Sequence, residues 1–397
     1  MAQLQKGCLD KRQKNMAWSV TRHTQIPLES GFRRLAYGID SLDIGFYVQW
    51  NGRWEALHEA LQNKKEQAQR DDGVKDQTPK GRNFFHLRTG KAPNYRYHLK
   101  FPEYHLFISI TNPPGESPNV YVSILSESLW HKGVLESVQQ VTDDLQEFHG
   151  KIFKTLVSRC DLCVDFLMPE DPTLEFIKAH MVSRTKKTTH YEDNGILETF
   201  YAGRRGAKIQ LRIYNKGKEI MSASGKLWFL KEWGLERPDR VWRVEFQIGR
   251  TALKERKIDT LDDLLANAPG LWDYLTKDWF SLRLQDNERQ DRRTIHPWWQ
   301  EVQATANLFG EVLPLGRTSE SDLLPSSGWF VKHIGGMLPS YAARKGVRDI
   351  NDAVRELSSE VVCYWYEKEF HKTYDKRLLR LGFANYNQES EGNNDKS

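Results

Sequence analysis

Polar side chains recur at every second residue in three segments of the sequence, the spacing that places them on one face of a β-strand. In order along segments 159–165, 208–216 and 241–247 they are Asp161, Cys163, Asp165, Gln210, Arg212, Tyr214, Arg243, Glu245 and Gln247. If the three strands are neighbours with these faces aligned, a tyrosine hydroxyl meets carboxylates and guanidinium groups on a rigid floor.

That set of groups suits phosphodiester transfer. A tyrosine hydroxyl has an ordinary pKa near ~10 and needs a base or a metal to become a good nucleophile. Carboxylates bind Mg²⁺ or Mn²⁺, while lysine and arginine neutralise and orient a phosphate. A water-facing sheet with cross-strand ion pairs would have the same spacing. Nor does periodicity select Tyr214, because Tyr191 and Tyr201 are also available.

The elements that must position these residues mix hairpins with helices, which indicates an α+β fold with mainly antiparallel sheet and flanking helices rather than a doubly wound one. Segment 70–90, which contains Gly73, Pro79 and Gly81, is predicted to be a surface loop. Predicted strands cover 39–50, 95–101, 104–111, 119–125, the region around Asp161, 197–202, 208–214 and 241–248. Predicted helices cover 54–69, 135–149, 172–182, 261–265, 271–282, 298–309 and 349–379.

These elements predict four parts of the chain. A flexible basic arm covers 1–34, an α+β domain covers 35–260, a helical C-terminal domain covers 261–385, and a disordered tail covers 386–397. In the last predicted helix Ile350, Val354 and Val361 lie on one stripe, which favours core packing.

Composition limits the class of protein. Hydrophobic residues make up 39% of the 397 residues and charged residues 28%, as in a folded soluble protein. The formal charge of +5 is compatible with a nucleic-acid partner. We expect no membrane span and a cytoplasmic location, since there is no apolar run of ~18 residues, no apolar leader, and only four cysteines. Cys160 and Cys163 form a CxxC on a strand, where their side chains point to opposite faces and cannot share a metal.

Three motifs occur in order over residues 155–250. They are Arg159-x-Asp161-x-x-x-Asp165, then Tyr201-x-Gly203-x-Arg205 followed by Arg212-Ile-Tyr-Asn-Lys216 and Glu219, then Trp242-Arg243-x-Glu245. This arrangement resembles the replication initiation factor family, which includes initiators of rolling-circle plasmids of the staphylococcal type and of some filamentous phages.

The resemblance implies a tyrosine endonuclease that nicks origin DNA. Tyr214 would form a 5′-phosphotyrosine, and the free 3′-OH would prime a host polymerase. The implied metal ligands for Mg²⁺ or Mn²⁺ are Asp161, Asp165 and Glu245, with Glu219 as a further candidate, while Arg212, Lys216 and Arg243 would assist catalysis. A homodimer and a host helicase are the implied protein partners.

Another large group of rolling-circle initiators binds metal through a His-x-His pair, which this sequence lacks. His98 and His105 are predicted to be ordinary, separate strand histidines. Candidate DNA contacts are Lys186, Lys187, Arg204, Arg205, Arg292, Arg293 and the basic segment 368–380. Such clusters are more often solvated faces than contacts, and basic residues alone give affinity without sequence readout.

Three alternatives remain open at the level of sequence. A non-catalytic DNA-binding regulator with the same fold would need no Tyr214 chemistry. A tyrosine recombinase or topoisomerase would carry its tyrosine on a helical fold, whereas Tyr214 is on a predicted strand. A structural or interaction protein would simply turn the polar face towards water.

Overall fold

The computed structural model describes residues 31–312 and 327–374. The chain forms two compact units, one ending at Gly316 and one beginning at Arg317. The sequence placed a boundary near 260, whereas residues 261–309 of the structure share the hydrophobic core of the preceding sheet.

The first unit contains an eleven-stranded sheet with the strand order β2-β3-β4-β5-β6-β1-β7-β12-β11-β10-β9, and a two-stranded sheet of β8 and β13. The strands are β1 (Arg33–Gln49), β2 (Val74–Gln77), β3 (Asn83–Leu87), β4 (Tyr95–Lys100), β5 (Tyr104–Ser109), β6 (Val120–Ile124), β7 (Lys151–Leu167), β8 (Met181–Ser183), β9 (Thr188–Asp193), β10 (Ile196–Ala202), β11 (Ile209–Asn215), β12 (Val241–Gly249) and β13 (Phe280–Leu282).

The helices of the described residues follow the same chain order. They are α1 (Trp54–Asp71), α2 (Ser126–His131), α3 (Val134–Glu147), α4 (Leu174–His180), α5 (Lys216–Glu219), α6 (Phe229–Trp233), α7 (Arg250–Glu255), α8 (Leu261–Tyr274), α9 (Pro297–Ala304), α10 (Ala306–Phe309), α11 (Ser327–Lys345) and α12 (Ile350–Glu367), with π-helical turns at Ile220–Ser224 and Leu275–Trp279 and a 3₁₀ turn at Gln290–Arg292.

All pairings in the large sheet are antiparallel, and helices flank it, which confirms the predicted α+β class. Its centre is formed by β1 and β7, which have 17 residues each and pair along almost their whole length. Because these two long strands connect both halves of the sheet, residues on β7 and on the strands next to it have a fixed register.

One face of the sheet is apolar and forms the main core. Helices α1, α3, α8, α9 and α10 contribute to it, for example through Leu61, Val141, Trp272 and Trp299. The opposite face is covered only in part, by a second cluster that includes Trp130 of α2 with Phe229 and Trp233 of α6. The polar residues of the three candidate strands lie on this second face.

Three sequence predictions need correction. Segment 70–90 is not a loop throughout, because β2 and β3 pair within it and Phe84 packs into the core. The predicted helix over 271–282 ends at Tyr274 and continues as a π-helical turn and then as β13. The single helix predicted over 349–379 is interrupted, because α12 ends at Glu367 and residues 370–374 are helical again; on α12, Ile350 and Val354 are largely exposed rather than in a core.

Some of the predicted segments lie outside the described residues. Residues 1–30, the tail 386–397 and the basic positions from 375 onwards lie outside the described residues. Cys160 and Cys163 are buried in different clusters, as their spacing predicted. The prediction that His98 and His105 are separate is wrong, because His98 Nε2 on β4 lies 2.7 Å from His105 Nδ1 on β5. Within the part of the chain that the structure describes, no helix is long and apolar enough to cross a bilayer.

Candidate active site

Strands β11, β12 and β7 are neighbours, and their polar positions lie directly across from one another. Tyr214 pairs with Arg243, which pairs with Asp165. Two residues farther along these strands, Arg212 pairs with Glu245. The alignment predicted from alternate spacing is therefore confirmed, because antiparallel pairing keeps every second residue of each strand on the same face.

A tyrosine–carboxylate hydrogen bond lies at the centre of this face. The hydroxyl of Tyr214 donates to Oε2 of Glu245 at 3.0 Å, and Arg212 donates to Oε1 of the same carboxylate. The side chain of Tyr214 is only 6% exposed. Burial, and next the negative charge of Glu245, raise the pKa of Tyr214 well above its usual value. Tyr214 is therefore a neutral phenol whose proton already has an acceptor.

A second arginine–carboxylate pair lies beside the first. Arg159 Nε donates to Asp161 at 2.8 Å, and its Nη2 donates to the other carboxylate oxygen. Burial, opposed by Arg159 and reinforced by the charge of Glu245, raises the pKa of Asp161. The side chains of Arg159 and Arg212 are each 35% exposed, whereas Asp161 and Glu245 are almost fully buried. Solvent and ligands therefore reach the guanidinium groups before the carboxylates.

Arg159 and Asp43 were missed as site residues at the sequence level. Arg159 has the same strand parity as Asp161, so the alternate spacing that selected Asp161 could have found it. Asp43 is opposite Arg159 on β1 and accepts a hydrogen bond from the Tyr121 hydroxyl at 2.6 Å. Burial alone would lower the pKa of Arg159, but the hydrogen bond and charge of Asp161, with the charge of Asp43, raise it.

Arg243 occupies a closed part of the same face. It is fully buried, with Nε 2.5 Å from Asp165 and Nη1 2.6 Å from Asp40. Trp233 of α6 donates to the same Asp165, and Trp130 of α2 donates to Asp40. In this position Arg243 and Asp165 hold the covering helices to the sheet, and neither is open to an incoming phosphate.

Lys216 and Glu219 form an ion pair immediately after β11. Lys216 Nζ lies 2.6 Å from Glu219 and 5.6 Å from the centre of the Tyr214 ring, and its side chain is buried. Burial, with the nearby charge of Arg243, lowers the pKa of Lys216.

The turn that places Lys216 under the cover depends on close packing. A Cβ atom on Gly217 would lie 1.8 Å from the carbonyl oxygen of Pro238, in the segment that leads into β12. Only glycine permits this approach, which holds the end of β11 against the start of β12.

The four carboxylates expected to bind metal do not form one group. Asp165 is bound by Arg243, and Glu219 by Lys216. Glu245 lies close enough to Asp161 for its charge to raise the pKa of that carboxyl. Across residues 31–312 and 327–374, no set of three or more histidine, cysteine, aspartate or glutamate side chains is arranged to hold a metal ion. The predicted four-ligand set therefore does not fit this arrangement.

Several candidate DNA contacts come together and others do not. A cavity of about 460 Å³ at the turn between β10 and β11 is lined by Lys186, Lys187 and Arg204, and Arg205 follows on the same turn. We call this cavity the basic cleft. Arg292 and Arg293 do not line this cavity but lie on the loop after β13. That loop begins at the end of the small sheet, where the N–H of Arg283 donates to the carbonyl of His180.

The two alternative candidate nucleophiles, Tyr191 and Tyr201, lie on the same sheet as Tyr214. Tyr201 of β10 is opposite Arg212, and its ring centre is 6.0 Å from that of Tyr191 on β9. Tyr191 is 62% exposed. Neither of them has the hydrogen bond to a buried carboxylate that distinguishes Tyr214.

Comparisons with known proteins add little. No protein-family model matches the sequence, and no curated protein is similar to it. Among solved structures, the fold is similar to that of a rolling-circle replication initiator protein from Geobacillus stearothermophilus, with a TM-score of 0.42 and 15% sequence identity over 72% of this chain and 100% of that chain. A likeness this distant does not establish a family, so functional inference depends on the geometry of the site.

Proposed function

We propose that this protein is a rolling-circle replication initiator that nicks one strand of its origin DNA through Tyr214. The observation that carries the proposal is the hydrogen bond from the Tyr214 hydroxyl to the buried Glu245 carboxylate, flanked by the half-exposed guanidinium groups of Arg212 and Arg159. Nucleophile, base and phosphate-binding cations are then all present on adjacent strands.

The reaction follows from these positions. The Tyr214 oxygen attacks the scissile phosphorus, its proton passes to Glu245, and the bond from phosphorus to the 3′ oxygen breaks. The products are a 5′-phosphotyrosine and a 3′ oxygen, which takes a proton from water and becomes the 3′-OH primer for a host polymerase. Because the phosphotyrosine retains the energy of the broken bond, the step is reversible and allows later strand joining.

Arg212 connects binding to activation. In the absence of DNA it neutralises Glu245 and lies over the Tyr214 ring, with its guanidinium carbon 5.0 Å from the ring centre. A phosphate at the exposed side of Arg212 competes for the same guanidinium. The Glu245 carboxylate then loses the hydrogen bond from Arg212 at the moment when the substrate arrives, while it keeps the one from Tyr214.

Mg²⁺ or Mn²⁺ dependence stays a prediction. Asp161 and Glu245 are the two carboxylates that the site brings near each other, and a divalent ion held there would supply additional charge neutralisation at the phosphate. The steps above use only the side chains of this chain.

The test uses wild type, Tyr214→Phe and the matched control Tyr201→Phe, each incubated with labelled single-stranded oligonucleotides from the protein's own replicon. Reactions contain Mg²⁺, Mn²⁺ or EDTA, and denaturing gels detect a covalent protein–DNA band. We expect the band with wild type and Tyr201→Phe, and its loss with Tyr214→Phe. Loss in EDTA would support the metal requirement.

Two other results would be decisive in the opposite direction. A band that persists in Tyr214→Phe and disappears in Tyr201→Phe or Tyr191→Phe would move the nucleophile. Binding of origin DNA without a covalent band from any strand would favour a non-catalytic DNA-binding regulator built on this fold.

A further inference from the structure

We propose that the basic cleft is a second DNA site, which binds the sugar–phosphate backbone of a single strand at a fixed distance from Tyr214. This inference rests on the proposed function for the identity of the polyanion. The cleft lies where β10 turns into β11, whereas Tyr214 lies at the other end of β11.

The walls of the cleft are fixed by the backbone. The N–H of Gly203 donates to the carbonyl of Lys187 at 2.8 Å, and the N–H of Arg184 donates to the carbonyl of Trp279 at 2.9 Å. Gly203 has a φ of 88°, and a Cβ there would lie 2.8 Å from the carbonyl oxygen of Ile209. The segments that carry the basic side chains are therefore held in place before any ligand binds.

The charge of the cleft is unbalanced. Its lining includes the cations Arg184, Lys186, Lys187, Arg204 and Lys208. Lys208 pairs with Glu255 at 2.7 Å, and Arg184 lies 3.9 Å from Asp278. Lys186, Lys187 and Arg204 are exposed and have no ion pair with any acidic residue in the ranges that the structure describes.

Unpaired cations in a concave site repel one another, and a polyanion removes that cost while releasing its own counterions. A chain of phosphates satisfies several cations at once, which a single small anion does not. The exposure of these side chains, with Trp279 as an apolar wall, fits a backbone that runs through the cleft rather than an anion enclosed within it.

The position of the cleft gives it a specific role. Lys208 directly precedes β11 and lies six residues before Tyr214, or about 20 Å at roughly 3.3 Å per residue. A separation of this size spans only a few nucleotides of a single strand. A strand bound in the cleft would have its next few nucleotides directed along the sheet towards the tyrosine.

The test measures binding of a fluorescein-labelled single-stranded oligonucleotide to full-length protein by anisotropy, in EDTA and over a series of salt concentrations. The cleft variant is Lys186→Gln/Lys187→Gln/Arg204→Gln. The matched control, Arg53→Gln/Arg70→Gln/Lys75→Gln, removes the same charge from exposed residues that do not line the basic cleft.

We expect the cleft variant to bind at least about tenfold more weakly at low salt. The slope of log affinity against log salt should fall by about 2, since each phosphate contact contributes about 0.7 for a single strand. The control should stay within about twofold of wild type. Equal losses in both variants would reduce the effect to net charge and overturn the proposal, as would wild-type binding by the cleft variant.

This assay needs no cleavage, so its outcome can be read even if wild type forms no covalent band. Conversely, a cleft variant that binds like wild type leaves the Tyr214 chemistry untouched. The two proposals therefore fail separately.

Discussion

The polar face of the sheet contains two kinds of arginine–carboxylate pair, closed and open, on the same neighbouring strands. In the closed pair, Arg243 and Asp165 are both fully buried beneath α2 and α6. In the open pairs, Arg212–Glu245 and Arg159–Asp161, the carboxylate is buried but the guanidinium group is partly exposed. The same residue types on the same strands thus have different roles, decided by what covers them.

Physical chemistry explains the difference. A fully buried ion pair is a poor source of net stability, but removal of one partner leaves a charge without compensation in a low-dielectric site. A half-exposed guanidinium keeps a route to solvent, so it can exchange a carboxylate for a phosphate at small cost. The closed pair is therefore suited to fix the covering helices on the sheet, and the open pairs are suited to bind a phosphate.

The largest expected effect is on the closed pair. Arg243→Met should lower the free energy of unfolding by about 3–5 kcal/mol, because Asp165 and Asp40 lose their shared counter-charge. Urea denaturation measures it. Arg159→Met is the matched control, with a smaller expected loss, because Asp161, whose pKa burial already raises, can take up a proton when its partner is removed. Similar losses in the two variants would remove the distinction between closed and open pairs.

The next effect is on chemistry at the open pair. Glu245→Gln should slow covalent adduct formation by about 10²-fold, because the amide cannot accept the proton of Tyr214. Single-turnover gels measure the rate. The control is Glu136→Gln, an exposed residue of α3 that should leave the rate unchanged. An unaffected rate in Glu245→Gln would exclude this carboxylate as the base.

Replacement of Arg159 by lysine gives a smaller effect. The charge is kept, but the forked contact with Asp161 is lost, and a lysine cannot bridge a carboxylate and a phosphate in the same way. We expect about a tenfold slower adduct rate with unchanged urea stability, consistent with the strength of one charged hydrogen bond. A rate equal to wild type would leave Arg212 as the phosphate contact.

The smallest effect is a dependence of stability on pH. Burial and Glu245 raise the pKa of Asp161 in the folded protein above its unfolded value of about 3.9. Its stabilising contribution is therefore complete below about pH 4 and is lost as the pH rises through the folded pKa.

Between about pH 5 and about pH 8, the free energy of unfolding of wild type should thus fall more than that of Asp161→Asn. Urea midpoints at the two pH values measure the difference. Parallel pH profiles for the two proteins would show that Asp161 ionises in the folded state as it does in the unfolded chain.

Local pattern accounts for part of this fold and of its site. Alternate spacing placed Asp161, Arg212, Tyr214 and Glu245 on one face, because side-chain direction on a strand depends only on residue parity. It also predicted the divergence of Cys160 and Cys163. The β2–β3 hairpin was missed because Gly73, Pro79 and Gly81 dominate a short polar stretch, and only pairing with β4 makes it a sheet edge.

The division into closed and open pairs could not be predicted in this way. It depends on Trp130 and Trp233, which bond to carboxylates 90 and 68 residues away along the chain. The sequence pattern does not distinguish Arg243, Arg212 and Arg159 either, because each lies two residues from another polar side chain on the same face of its strand. Burial by distant helices is a property of tertiary packing and leaves no periodic signal.

The contact between Gly217 and Pro238 limits how this site can vary. Any side chain at 217 would displace the segment that leads into β12, and β12 carries Glu245, so the displacement would reach the hydrogen bond to Tyr214. A residue without reactive groups is thus as restricted as Tyr214, the proposed nucleophile three positions before it. In a randomised library, or among natural variants that have lost the tyrosine but kept the sheet, we expect glycine to persist at this position.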